Sequence, residues 1–242
     1  MSELVPYLQA AQLPLRPDDL VAAGIGRLAV NLTDYRRQPG FDQVAARGGL
    51  KRVLNWDGDL ISFAGDFGEL TRVKKNLATV GVHYQDPQTA AKLTLTADQA
   101  AEWQVAVGDC RPVALFAPAA YYAPVDDLKR AQEANASWAR ALPAGGLYPV
   151  IGGGLRALRE ASIAAVPAGC DYLIANLPPE EEFAEWQRVV DLTLELLPQG
   201  AKVAIVARNP AELRHAASRQ IDWLISAWPI KAGLAGKALV KG

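Results

Sequence analysis

Histidine and cysteine are scarce in this chain, with two of each among 242 residues. Cys110 and Cys170 cannot build a disulfide framework, and each opens an apolar run, where a buried thiol is the ordinary outcome. His83 and His215 are too few for a Cys/His zinc site, so neither a metal nor another cofactor is expected. A basic excess is missing as well. Lysine and arginine total 25 against 26 acids, a net charge of -1, which gives no global pull toward nucleic acid. Two local clusters, Arg72 with Lys74 and Lys75, and Lys231 with Lys237 and Lys241, read as solvated surface. No apolar run approaches the roughly 18 residues of a membrane span. The start of the chain also lacks the basic stretch and long apolar run of a leader peptide. A cytoplasmic protein without membrane contact is the expectation.

Apolar residues are plentiful. They make up half of the chain, enough for one large core, and a single domain over residues 1–242 is expected. No Pro/Gly/Ser-rich linker, short-period repeat or low-complexity tract divides it. Short β-rich runs fall at residues 4–8, 27–32, 59–63, 113–116, 147–151, 171–175, 202–207 and 221–226. They are continuous in apolar residues rather than alternating, the pattern of a parallel sheet covered on both faces.

Helical segments lie between these runs. Arg16-Pro17-Asp18-Asp19-Leu20 opens one, with proline and acids in the first turn. Thr96 is the expected N-cap of another. The segment 124–142 sets Leu128, Ala131, Asn135 and Trp138 at helical spacing. Segments 155–166 and 210–218 are shorter, and 179–197 aligns Phe183, Trp186, Val190, Leu194 and Leu197 on one stripe. Eight strands with intervening helices in this length predict a (β/α)8 TIM barrel, with a doubly wound open sheet as runner-up. Residues 65–95 break the rhythm, and two short runs there predict a β-hairpin insertion after the third strand, over one end of the barrel.

The strand sequences also carry a likeness. The run from Asn55 to Phe67, beginning Asn55-Trp56-Asp57-Gly58, is similar to the motif W-D-G-P-I-L-T-D-S-G-G-F. Leu15-Arg16-Pro17-Asp18-Asp19-Leu20 is similar to L-T-P-E-D-L, and Pro39-Gly40 to the end of R-P-G. Residues 150–154 with Leu158-Arg159-Glu160 resemble I-V-Q-G-G and L-R-x-E. Leu196-Leu197-Pro198, Asn209-Pro210-Ala211-Glu212-Leu213 and Ile221-Asp222 follow in the same order. Collinear over nearly the whole chain, these motifs resemble the tRNA-guanine transglycosylases, the queuine and archaeosine tRNA-ribosyltransferases.

That resemblance implies a TIM-barrel enzyme of tRNA modification that exchanges guanine for a 7-deazaguanine on the path to queuosine. One aspartate, on the last strand, attacks the ribose; a second serves as acid/base; further acids and amides grip the base. Carried over residue by residue, the nucleophile position is Ile225. The acid/base position falls near Thr89, the base-recognising aspartate at Phe116 or Ala117, and the glutamine of I-V-Q-G-G at Gly152. The G-G-L after the sixth strand becomes Ala175-Asn176-Leu177. The sequence reaches Lys237-Ala238-Leu239-Val240 about where the family's zinc-binding subdomain would begin, so zinc ligands are not expected here. A one-residue shift would put Ser226 in the inward place instead of Ile225.

Polar groups remain at predicted strand ends and loops. Asp66, in Ala-Gly-Asp-Phe-Gly, with Asp57 and Asp34, are the candidate catalytic carboxylates of an altered reaction. Asn31, Gly152, Gly153, Gly154, Asn176 and Lys231 are candidate ligand-binding residues; the glycines precede a helix, where free N–H groups hold anions. Tyr121 and Tyr122 could stack on a base. Three readings follow. The first is a catalytically silent homologue that binds a nucleobase, tRNA or a catalytic transglycosylase subunit. The second is a divergent nucleoside hydrolase or base-exchange enzyme. The third is a protein–protein module, a homo-oligomer among its forms.

Overall fold

The computed structural model describes residues 2–8, 16–65, 77–78, 81–85, 91–117 and 119–234. In chain order the elements are β1 (Glu3–Leu8), α1 (Pro17–Ala22), β2 (Arg27–Asn31), α2 (Leu32–Arg37), α3 (Phe41–Ala46), α4 (Leu50–Leu54) and β3 (Asp59–Phe63). Next come β4 (Leu77–Ala78), β5 (Gly81–Gln85), β6 (Lys92–Thr96), α5 (Ala97–Ala106) and β7 (Arg111–Val113). The chain continues through α6 (Val125–Trp138), β8 (Leu147–Val150), α7 (Arg156–Ala164), β9 (Asp171–Ile174) and α8 (Phe183–Leu196). It then forms β10 (Val203–Val206), α9 (Pro210–Ser218), β11 (Trp223–Ser226) and α10 (Trp228–Leu234).

Eight parallel strands close into a barrel in the order β1-β11-β10-β9-β8-β7-β3-β2, so the barrel is the fold and the open sheet is not. Side chains alternate across each strand, and one face of every strand turns inward. Val5, Tyr7, Ala29, Ile61, Phe63, Val113, Leu147, Leu173, Ala204, Trp223 and Ile225 form one buried cluster drawn from all eight strands. The opposite parity packs outward: Ile174, Val203, Ile205 and Leu224 meet Trp186 and Val190 of α8 and Ala216 of α9. Both faces are therefore dry, which is why the strands read as unbroken apolar runs.

The insertion after β3 is a three-stranded antiparallel sheet, β4-β5-β6, and includes the expected hairpin, with Val82 opposite Leu95. Val82 and Leu95 pack with Ala64, Leu115, Ile151 and Ala175, each just past the carboxyl end of a barrel strand. The small sheet thus lies against that end. Thr96 caps α5 with a full capping box: its hydroxyl accepts from Gln99 N, and Gln99 Oε1 accepts from Thr96 N.

Several strand ends differ from the expected bounds, and two of these strands bear on the mouth. The fourth barrel strand is Arg111–Val113 rather than 113–116. Residues 114–117 leave the ladder, and Ala117 N donates to the buried side chain of Asn135 at 2.6 Å. Leu32 begins a helix instead of ending β2, because Asn31 Oδ1 accepts from Thr33 N and caps it. The amino-terminal pole holds a charged layer. Arg27 pairs with Glu3 and with Asp59 at 2.5 and 2.6 Å, and Arg111 with Asp171 at 3.0 Å. Both guanidiniums sit over the Trp223 ring, at 5.4 and 4.5 Å from its centroid.

Candidate functional site

Barrels of this kind keep chemistry at the carboxyl ends of their strands. On β11 the parity is settled by pairing: Val5 lies opposite Ile225, and Pro6 opposite Ser226. Ile225 is fully buried in the inward cluster beside Phe63 and Tyr7. Ser226 is also buried, and its hydroxyl accepts the amide of Trp228 at 3.2 Å at the start of α10. The shifted reading, with Ser226 inward, is therefore not what the strand adopts.

A cleft at the ends of β3 and β7 is lined by Phe63, Ala64, Gly65, Val113, Ala114, Leu115 and Phe116. Its volume is about 10 Å³, room for about one water and far below a nucleobase. Phe116 or Ala117 stands where the resemblance places a base-recognising aspartate, so the side chain there is apolar either way.

The β8–α7 turn is closed on itself. Gly152 N and Gly153 N both donate to Asn176 Oδ1, at 3.3 and 2.6 Å, so the side chain of Asn176 occupies the place an anion would take. Asn176, itself at φ +52°, donates through Nδ2 to Ala119 O at 2.7 Å. Gly152 has φ +145°, and a Cβ there would lie 2.8 Å from Arg159 N. The turn requires glycine here, and a glutamine in the family's position does not fit this backbone.

Two buried ionic groups brace the same end. Arg159 is fully buried on α7 and donates to carbonyls of Gly153, Val150, Ala175 and Asn176 at 2.8 to 3.4 Å. Burial draws its guanidinium down to about 10, below the ordinary arginine range. Arg208, after β10, grips the fully buried Glu212 and donates to Pro178 O at 2.8 Å. The sequence reading missed both braces. The signal for Arg159 was present, as the arginine of L-R-x-E beside Leu158, but nothing local marks it as buried.

The remaining expected residues scatter. Asn31, 2% exposed, caps α2, and Asp34 is half-buried in that helix. Asp57 and Asp59 precede and begin β3, so both lie at the amino-terminal pole, opposite the mouth; a parallel strand puts its first residues there. Gly154 borders Tyr121, Glu185 and Arg188. Lys231 is exposed on α10. Asp66, Thr89, Lys237, Lys241 and the Arg72/Lys74/Lys75 cluster fall outside the described residues.

Outside the mouth, Tyr121 and Tyr122 stand edge to face at 4.8 Å between centroids and donate to Glu185 and Glu182, so they do not stack in parallel. Arg188 binds both oxygens of Glu185 at 2.6 Å and, with Tyr121, holds that carboxyl down to about 2. Burial and Glu185 together push the Tyr121 phenol up. Among the described residues, no group of three or more His, Cys, Asp or Glu side chains is placed to hold a metal ion. No helix there is long and apolar enough to cross a membrane.

Comparison with known proteins places this geometry. A family model described as queuine tRNA-ribosyltransferase matches residues 3–242. The queuine tRNA-ribosyltransferase of Streptococcus equi subsp. zooepidemicus is 29% identical over 203 residues, 79% of this chain and 53% of that protein. That of Lactococcus lactis subsp. cremoris (strain MG1363) is 28% identical, with the same coverage. The chain spans about half the length of the curated relatives it matches. With the model match running over nearly every residue, the chain belongs to the queuine tRNA-ribosyltransferase family.

Proposed function

We propose that this chain is a non-catalytic member of its family, a binding or accessory subunit in queuosine tRNA modification. One observation carries the reading. Residue 225, where the resemblance places the nucleophile, is an isoleucine fully buried inside the barrel. An aliphatic side chain has no lone pair with which to attack a ribose carbon. Phe116, an aromatic side chain on one wall, and the Gly152–Asn176 turn, whose two amides already donate to Asn176, support it. Its partners would be a catalytic transglycosylase subunit, tRNA or a second copy of the chain, in the cytoplasm. The test is base exchange: guanine-containing tRNA and labelled base, incubated with purified protein, should yield no labelled RNA. Robust exchange would overturn the proposal, and would favour an altered enzyme working through other carboxylates such as Asp66.

A further inference from the structure

One residue on the mouth's outer rim breaks a local rule without any gain to the fold. Leu155 is the N-cap of α7, in extended geometry (φ -97°, ψ 116°) suited to a capping side chain, yet it makes no cap hydrogen bond. Serine, threonine, aspartate and asparagine stabilise helices at this position and leucine does not. Leu155 is also 42% exposed, so burial does not explain it either. Its neighbours share that character: Tyr122 is 62% and Val125 48% exposed. The three sit close together. Gly154, adjoining Leu155, lies against the Tyr121 hydroxyl, the Tyr121 ring meets that of Tyr122, and Val125 begins α6 three residues later.

Acids ring this apolar centre. Glu182 and Glu185 hold the two tyrosines, Glu180 and Glu181 precede Glu182 in the chain, Glu180 accepting from Asn209, and Asp126 and Asp127 follow Val125 in the first turn of α6. Against these six stand Lys129, Arg130, Arg156 and Arg188, and the arginines are already tied to Asp127, to Glu160 and Glu195, and to Glu185. A net negative rim repels a phosphate backbone and attracts cations. Exposed apolar side chains within a polar border are the anatomy of a protein interface.

We propose that the rim formed by Tyr122, Val125 and Leu155 docks a basic protein segment, one that presents an aliphatic or aromatic side chain between lysines or arginines. This goes beyond the reading of the barrel interior and is measured separately, so either can fail while the other stands. The probe is a synthetic helical peptide with leucines on one face and lysines on the other. It is titrated into isotope-labelled protein at about 0.15 M salt, where distant charge effects are screened. Amide shifts should map to Tyr122, Val125, Leu155 and Glu181. Leu155→Ser should weaken binding about tenfold or more while holding or raising Tm, because serine supplies the missing cap. Tyr122→Ser, at an exposed site, should weaken it similarly. No binding, shifts elsewhere, or unchanged affinity in both variants would overturn the proposal; the last would mean simple charge attraction. So would occupation of the rim by a glutamate-for-lysine peptide or by an oligoribonucleotide.

Discussion

At residue 152 the family's glutamine and this chain's glycine differ by more than a side chain. The backbone there has φ +145°, a conformation that only glycine adopts freely, with no space for a Cβ. Restoring the family residue should therefore damage the protein. Gly152→Gln is expected to cost about 2 kcal/mol or more in denaturant unfolding and to restore no activity. A second residue-scale outcome concerns acid. Arg188 holds the folded-state Glu185 at about 2, below its ordinary 4.5. A depressed carboxylate contributes stability that is fully present above 4.5 and is lost as pH falls toward 2. Acid titration of Tm should show that loss in the wild type and less of it in Glu185→Gln, by under about 1 kcal/mol because the pair is partly exposed. At this scale the sequence was only half legible. Ile225 and Gly152 could be read from the aligned motifs, since each is a plain substitution. The Asn176–Gly152 contact could not, because it joins residues 24 apart through a side chain whose direction no pattern encodes.

Elements were legible in proportion to their length. The barrel strands announced themselves as unbroken apolar runs, and α6, α8 and α9 by helical spacing or a Pro-led start. The helices α2, α3 and α4 have only five or six residues each, too few for a period to show, and two begin after glycines at positive φ. The strand Arg111–Val113 was misplaced because residues 114–116 are equally apolar, and only the tertiary bond from Ala117 N to Asn135 marks their departure. Where local chemistry is self-contained it was readable. Thr96 is such a case, with both halves of its capping box in place. Thr96→Ala should lower stability by about 1 kcal/mol in thermal or denaturant unfolding, and a neutral result would show the cap to be redundant.

For the whole molecule, the two poles of the barrel have separate characters. The amino-terminal pole carries the Arg27, Arg111 and Trp223 layer with Glu3, Asp59 and Asp171, where fold stability is the purpose charge serves. Asp57 fell into this pole although it was a candidate carboxylate, because adjacency to a strand in sequence does not say which end. At the carboxyl-terminal pole Asn176 bonds to the glycine turn, Arg159 to four carbonyls and Arg208 to Glu212. On the proposed reading the barrel's covalent route ends at Ile225. Transfer of labelled 7-deazaguanine or guanine into guanine-containing tRNA, followed over hours at high protein concentration, tests it most directly. Label in the RNA no higher than in a protein-free control is the expected result; time-dependent incorporation over many turnovers would contradict it.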